Sequence, residues 1–330
     1  MQRMEKEDPE FERCLQAIIR SGAKTVGLQF PAGIKIRAME VARRLQEETD
    51  IPVILSADPS FGACDVREMP VDMIIHLGHA PIPDIHYKNV FFYDNPLPPP
   101  ENLAFLDKAL PLPGKKVGLL TTTQFRGWLP RVKDYLQERG YQVFIGKAGG
   151  RIAYEGQLLG CDYTAAKSVE KFVDCFLYVG SGDFHPLAVA LLTPKPVVVA
   201  DFEKGEARWL NDERDQTIRQ RHGAIALAEA AQTFGIVVST KLGQHRMDLA
   251  RYLARLAEKH GKKSQIFIMD NISQESLEGY KVDAWVNTAC PRVAIEDYLM
   301  FKKPILTPQE LEIVLGEREW EEYELDEIKT

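Results

Sequence analysis

VDAWVNTACPR (residues 282–292) is one of three matching segments that decide how this chain folds. VDMIIHLGHAP (71–81) and VDCFLYVGSGD (173–183) share its form, because each begins with Val-Asp, continues as an apolar run and breaks at small residues. A short apolar run of this kind is typical of a buried β-strand. Its recurrence along the chain indicates an internal repeat.

The segments that flank each copy match as well. TVGLQFPAG, KVGLLTTTQ and FGIVVSTKLGQ read as earlier buried strands, and each is followed by a helical pattern and then by a second strand. Strands that alternate with helices favour a parallel sheet covered by helices. We therefore predict an α/β fold of three similar domains, each a small parallel sheet with flanking helices, arranged around a pseudo-threefold centre.

Composition shifts along the chain indicate the domain limits. We predict a first repeat over 1–105, a second over 106–222, and a third with an acidic tail over 223–330. A proline-rich stretch (95–116) separates the first two repeats. A charged stretch (203–223), which we expect to be helical, separates the last two. The acidic tail after Gly316 is expected to be a solvated helix or a frayed end.

The overall composition is that of a soluble globular protein. Of the 330 residues, 45% are hydrophobic and 27% are charged. The net charge of −7 argues against an extended surface for direct nucleic-acid binding. The N-terminal MQRMEKEDPE lacks the apolar core of a secretory signal, and no apolar run approaches the roughly 18 residues that span a bilayer. We expect a cytoplasmic protein that does not enter a membrane.

The five cysteines fall into two groups. Cys14 lies on a predicted helix and Cys175 within a predicted strand, so we expect both to be core thiols. Cys64 and Cys161 each follow the second strand of their repeat, and Cys290 ends the third strand of the third repeat. Loops at the carboxyl ends of parallel strands share one edge of a sheet, which is where α/β proteins form their sites.

Three thiolates that converge would suit a metal centre. A structural zinc site usually has a fourth protein ligand and closely spaced cysteines, and neither is present. A 4Fe–4S cluster held by three cysteines leaves one iron open to a substrate. The alternative from the pattern alone is that Cys64, Cys161 and Cys290 are three unrelated buried cysteines.

FGACD, GCD, VGSGDFHPLA, STKLGQ and NTACPRVAIED together resemble the archaeal diphthamide synthase family, the 2-(3-amino-3-carboxypropyl)histidine synthases. The resemblance extends from about Thr25 to Pro308. It implies a homodimeric radical S-adenosylmethionine (SAM) enzyme without the usual CxxxCxxC motif. In this family Cys64, Cys161 and Cys290 would bind a 4Fe–4S cluster.

The resemblance also implies a reaction. Reductive cleavage of the Cγ–S bond of SAM transfers the 3-amino-3-carboxypropyl group to the imidazole C2 of a histidine on translation elongation factor 2. Methylthioadenosine is released, and an unidentified electron donor is required. This is the first step of diphthamide biosynthesis.

Several loop residues are candidate contacts for SAM. Ser181 and Gly182 could present backbone N–H groups to a carboxylate or ribose, although a plain tight turn would look the same. Lys241 could pair with the SAM carboxylate or be a solvated lysine. The remaining candidates are Gln29, Gly33, His185, Gln244 and Arg292. His185 could instead cap the following helix, and Arg292 could instead anchor its loop.

Other assignments stay open at this point. His76 and His79 are three apart on a predicted strand and should face opposite sides, so with His86 they form a poor chelating set. A three-cysteine Lewis-acid dehydratase of the quinolinate synthase type is a rival enzyme. A non-enzymatic α/β binding protein is the other alternative.

Overall fold

A computed structural model describes residues 8–329 of the chain. The start of the charged N-terminal segment, residues 1–7, lies outside the described residues. Within 8–329, none of the helices is both long enough and apolar enough to cross a membrane.

Residues 8–329 form three β-sheets. The strands of the first sheet are β1 Val26–Gln29, β2 Val53–Leu55, β3 Met73–Leu77 and β4 Val90–Tyr93. The strands of the second sheet are β5 Lys116–Thr121, β6 Gln142–Ile145, β7 Cys175–Val179, β8 Val197–Asp201 and β9 Glu206–Trp209. The strands of the third sheet are β10 Thr233–Ser239, β11 Lys263–Met269, β12 Ala284–Asn287 and β13 Ile305–Leu306.

All three sheets have the same strand order. The orders are β2-β1-β3-β4, β6-β5-β7-β8-β9 and β11-β10-β12-β13, so in each case the first strand of the repeat lies between the second and the third. Every pairing is parallel except that of β8 with β9. The predicted α/β fold with three similar parallel sheets is confirmed, while the pseudo-threefold arrangement and the domain limits stay predictions.

Helices connect and cover the strands. They are α1 Pro9–Ser21, α2 Lys35–Thr49, α3 Leu129–Gln137, α4 Thr164–Val169, α5 Phe184–Leu192, α6 Asn211–Glu229, α7 Met247–Lys259, α8 Gln274–Leu277, α9 Arg292–Ile295 and α10 Pro308–Val314. The stretch 203–223 was expected to be helical throughout, and this is wrong at its start. Residues 206–209 form β9, because they pair antiparallel with the edge of β8 before α6 begins.

The Val-Asp pair that opens each third strand has a structural explanation. The Asp carboxylate accepts hydrogen bonds from two consecutive backbone N–H groups at the start of the neighbouring central strand. The partners are Lys24 and Thr25 for Asp72, Lys115 and Lys116 for Asp174, and Gln232 and Thr233 for Asp283. These N–H donors favour the charged carboxylate, so the pKa of Asp72 and of Asp174 is lower than usual.

Two cysteines belong to the hydrophobic cores, as predicted. Cys14 is fully buried between α1 and the first sheet, and Cys175 is fully buried in the core of the second sheet. Burial raises the pKa of both thiols to about 12, so they are protonated at neutral pH.

The acidic tail is not the solvated helix or frayed end that its charge suggested. Leu325, Asp326 and Ile328 are buried. Leu325 joins an apolar cluster with Tyr163, Ala188 and Ile295. The sequence argument was wrong because it counted the acidic residues and overlooked the apolar side chains between them.

Candidate metal centre

Loops from all three sheets line one cavity of about 690 Å³. Cys64, Cys161 and Cys290 are all among its lining residues. Each cysteine lies in a loop that follows a parallel strand. Cys290 comes soon after β12, whereas Cys64 and Cys161 lie further along the chain from β2 and β6. One thiol from each repeat therefore lines the cavity.

The Cys64 loop packs tightly against the third sheet. Cys64 lies in a 3₁₀ turn, Ala63–Asp65, and its carbonyl accepts a hydrogen bond of 3.0 Å from the N–H of Gly243. The side-chain amide of Gln244 donates to the Cys64 sulfur at 3.2 Å. A Cβ at position 243 would lie 2.5 Å from the Cβ of Cys64, so only glycine allows this approach.

The Cys161 loop lies between β6 and α4. The backbone N–H of Ile328 donates to the Cys161 carbonyl at 3.0 Å, which joins this loop to the C-terminal tail. The neighbouring Asp162 carboxylate accepts from the N–H of Arg151 at 2.7 Å and from the N–H of Thr164 at 2.8 Å. These bonds hold the loop from both sides.

Cys290 lies between the end of β12 and the start of α9. Its carbonyl accepts from the side-chain amide of Asn287 at 2.8 Å and from the N–H of Val293 at 3.1 Å. Pro291 follows with helical backbone angles, so the chain turns from strand to helix at the cysteine.

Cys161 is buried and Cys64 and Cys290 are half-buried, and the three thiols lie close enough together to influence one another's ionisation. Burial raises the pKa of Cys64 and Cys161, and it raises that of Cys290 to about 12. Cys64 and Cys290 each raise the pKa of Cys161 further, because a second thiolate nearby is repelled. Without a bound cation the three thiols are therefore protonated at neutral pH, and a metal would have to displace those protons.

The donor set fits a cluster better than one metal ion. Within 8–329, no three His, Cys, Asp or Glu side chains stand close enough together to hold a single ion. In a cubane cluster each cysteine binds a different iron, which requires sulfurs that are farther apart than around one ion. Cys64, Cys161 and Cys290 line one cavity, and within 8–329 they are not grouped as a site for a single ion.

Six of the eight predicted SAM contacts also line the cavity. These are Ser181, Gly182, His185, Lys241, Gln244 and Arg292. Gln29 and Gly33 are not among its described lining residues. The Gln29 side chain is buried and pairs with the main chain of Arg67, accepting from its N–H at 3.1 Å and donating to its carbonyl. Gln29 thus fixes the position of Arg67, which does line the cavity.

Asp65 forms ion pairs with two cationic side chains that line the cavity. It is buried and contacts Lys241 Nζ and Arg67 Nε, each at 3.2 Å. Lys241 is itself buried, so the alternative of a solvated loop lysine is wrong. Arg67 also lies 3.4 Å from Asp270. Arg292 and Glu296, which also line the cavity, form an ion pair whose closest atoms are 2.6 Å apart.

The histidines are arranged differently from the prediction. His76 Nε2 and His79 Nδ1 are 3.0 Å apart, so the two rings face each other. The strand-alternation argument was wrong because β3 ends at Leu77, and Gly78 turns the chain with a φ of 90°. His79 and His185 line the cavity, and burial lowers the pKa of both to about 4. His86 is exposed and is not among the described lining residues.

Arg151 is a site residue that sequence reasoning missed. Its guanidinium is 2% exposed and donates to the Gly243 carbonyl at 2.8 Å. Its charge lowers the pKa of Cys64 and of Cys161, although burial outweighs this effect. The sequence carries no signal for it, because Arg151 belongs to no motif. Asp65 had a weak signal, since it directly follows Cys64.

The fold and site together define a three-sheet α/β protein in which one cysteine from each repeat faces a common cavity. Residues 30–324 match the family described as "Putative diphthamide synthesis protein", and the chain belongs to this family.

Named relatives agree along nearly the whole chain. The 2-(3-amino-3-carboxypropyl)histidine synthase of Pyrococcus horikoshii is 38% identical, with 95% of this chain and 92% of that protein covered. The enzyme of the same name from Methanocaldococcus jannaschii is 30% identical, with 97% and 93% covered. The crystal structure of Dph2 from P. horikoshii with a 4Fe–4S cluster superposes with a TM-score of 0.87 at 35% identity, covering 98% of this chain and 94% of that one.

Proposed function

We propose that this protein is a 3-amino-3-carboxypropyltransferase that modifies a histidine of translation elongation factor 2 in the first step of diphthamide biosynthesis. The observation that carries the proposal is the single cavity lined by Cys64, Cys161 and Cys290. The names of the relatives and the cluster in the Dph2 structure support it.

Cys64, Cys161 and Cys290 would hold a 4Fe–4S cluster. When bound, this group supplies an electron for reductive cleavage of the Cγ–S bond of SAM and an open iron that orients the substrate. Methylthioadenosine is the expected product from SAM. A cytoplasmic homodimer that receives its electron from a separate donor belongs to the same proposal.

The protein's own residues would bind SAM and exclude water. Ser181 and Gly182 follow β7 and line the cavity, and Gly182 has a left-handed φ of 76°. Gln244 donates to the Cys64 sulfur and so lies beside the proposed cluster. Lys241, whose Nζ lies 3.2 Å from the Asp65 carboxylate, would pair with the substrate carboxylate. His79 and His185 are neutral at pH 7 and do not repel the sulfonium.

The test is an anaerobic reconstitution with iron and sulfide. The wild-type protein should become brown and, with dithionite and SAM, should release methylthioadenosine and modify elongation factor 2. The variants Cys64→Ala, Cys161→Ala and Cys290→Ala should each lose iron. Cys14→Ala and Cys175→Ala serve as matched controls, because these thiols are buried in hydrophobic cores and should not affect iron content.

Each outcome separates the alternatives. A brown protein that releases no nucleoside from SAM and does not modify elongation factor 2 would favour a Lewis-acid enzyme of the quinolinate synthase type. A protein that stays colourless would exclude the cluster and leave a non-enzymatic α/β binding protein. Full iron content in any one of the three cavity variants would remove that cysteine from the ligand set.

A further inference from the structure

The end of the acidic tail is buried beside the cysteine loops. Leu325, Asp326 and Ile328 are 6%, 1% and 5% exposed, although the preceding residues 321, 322 and 324 are exposed. A buried carboxylate needs partners that offset the loss of hydration. The contacts of residues 325–328 show where those partners come from.

One set of contacts reaches the Cys161 loop. The N–H of Ile328 donates to the carbonyl of Cys161 itself, at 3.0 Å. The Glu327 carboxylate accepts from the N–H of Tyr163 at 3.1 Å and pairs with Lys167 on α4. Two of these bonds involve the main chain at or beside Cys161, so the position of this loop depends on the tail.

A second set of contacts reaches the Cys290 loop through Arg246. The Asp326 carboxylate forms a two-point ion pair with the Arg246 guanidinium. The same guanidinium donates to the carbonyl of Thr288 at 2.5 Å and to that of Ala289 at 3.2 Å. Ala289 directly precedes Cys290. The fork of Arg246 therefore links the tail to the main chain next to a second cysteine.

Apolar packing closes the junction between the two loops. Leu325 lies in one cluster with Tyr163, which is two residues after Cys161, and with Ile295 on α9. α9 begins two residues after Cys290. The tail thus touches both loops through hydrogen bonds and through buried side chains.

We propose that residues 325–328 and Arg246 form a clasp that positions Cys161 and Cys290 relative to each other. The proposal rests on the proposed function, because this spacing matters only if the cysteines share a cluster. The clasp residues are positioning residues that act through the backbone of the two loops. A cluster is rigid, so loops that are held at the correct spacing bind it with less ordering cost.

The first experiment measures thiol alkylation in protein that carries no cluster, followed by mass spectrometry of each cysteine. Asp326→Ala removes the centre of the clasp. It should raise the alkylation rates of Cys161 and Cys290 about tenfold or more, which is the change in local opening expected from losing a charge-assisted hydrogen bond. Glu324→Gln is the matched control, because it removes one exposed charge just outside the clasp and should leave both rates unchanged.

Cys14 and Cys175 report on the rest of the fold in the same sample. Both are fully buried far from the tail in sequence, and they should stay unreactive if only the clasp opens. Wild-type rates at Cys161 and Cys290 in Asp326→Ala would overturn the proposal. If all five cysteines react in Asp326→Ala, the same assay is applied to Arg246→Lys, because lysine keeps the charge but cannot make the fork of hydrogen bonds. Faster alkylation of Cys161 and Cys290, with Cys14 and Cys175 still unreactive, would support the proposal. Wild-type rates in Arg246→Lys would overturn it.

The second experiment uses the reconstituted protein and measures the loss of iron to a chelator. Iron loss should be at least about tenfold faster in Asp326→Ala than in the wild type, because this is the factor expected for the loss of one charge-assisted hydrogen bond. Glu324→Gln should lose iron at the wild-type rate. Equal rates in all three proteins would overturn the proposal. If the wild-type protein binds no iron, the proposed function fails, while the alkylation rates still decide whether the tail positions the two loops.

Discussion

Replacing Gly243 by alanine should disturb the proposed cluster site by a simple steric route. The added Cβ would lie 2.5 Å from the Cβ and 2.6 Å from the Cα of Cys64. Carbon atoms in contact are normally about 3.5–4.0 Å apart, so the segments that contain Gly243 and Cys64 must separate by about 1 Å. The atoms struck belong to the backbone and its first side-chain carbon, so no side-chain rotation relieves the clash.

The expected cost follows from the two interactions that this separation changes. Overpacking of this kind destabilises proteins by about 1–3 kcal/mol. The hydrogen bond from Gly243 N–H to the Cys64 carbonyl, now 3.0 Å, would also be lost or stretched, at about 0.5–1.5 kcal/mol. We expect the free energy of unfolding to fall by about 1.5–4.5 kcal/mol in total, and the iron content after reconstitution to fall with it.

Urea denaturation of the cluster-free protein and iron analysis of the reconstituted protein test this expectation. Gly223→Ala is the matched control, because a Cβ there meets no described atom within 4 Å and the residue lies within α6. That variant should gain about 0.8–1 kcal/mol from helix propensity. Wild-type stability and full iron content in Gly243→Ala would refute the reasoning, whereas lost stability with full iron would show that Cys64 is not held by this contact.

Two further predictions concern charge. Burial lowers the pKa of His79 and His185 to about 4, whereas the usual pKa is about 6.5. Between these two pH values the unfolded chain binds more protons than the folded protein. The free energy of unfolding should therefore fall as the pH drops through this window. Urea titrations at pH 7 and pH 5 should show a smaller pH dependence for His79→Gln than for the wild type, and an equal dependence would contradict the assignment. Asp65→Asn should lower the free energy of unfolding by about 3 kcal/mol, because it leaves two cations without their buried partner. Asp58→Asn removes an exposed partner of Arg67 and should cost less than about 1 kcal/mol, so equal losses in the two variants would show that burial does not govern this network.

The local features were predictable because they depend on short-range patterns. The apolar runs and Val-Asp pairs indicated the three buried strands β3, β7 and β12, since burial on both faces of a parallel sheet selects such runs. The distinction between core and loop cysteines also follows from local context. The antiparallel strand β9 was missed because it lies in a charged stretch and contains Glu and Ala, which are depleted in strands.

The sequence by itself determined the repeat, the parallel sheets and the placement of three cysteines beyond strand ends. Those properties follow from hydrophobic periodicity and from the rule that parallel strands end at one edge. Only the tertiary structure decided that Gly243 contacts Cys64, that Arg151 lies buried near two of the thiols, and that the tail reaches Cys161. These contacts join residues that are far apart in sequence, and their partners are chosen by packing and by the need to satisfy buried polar groups, which no local pattern records.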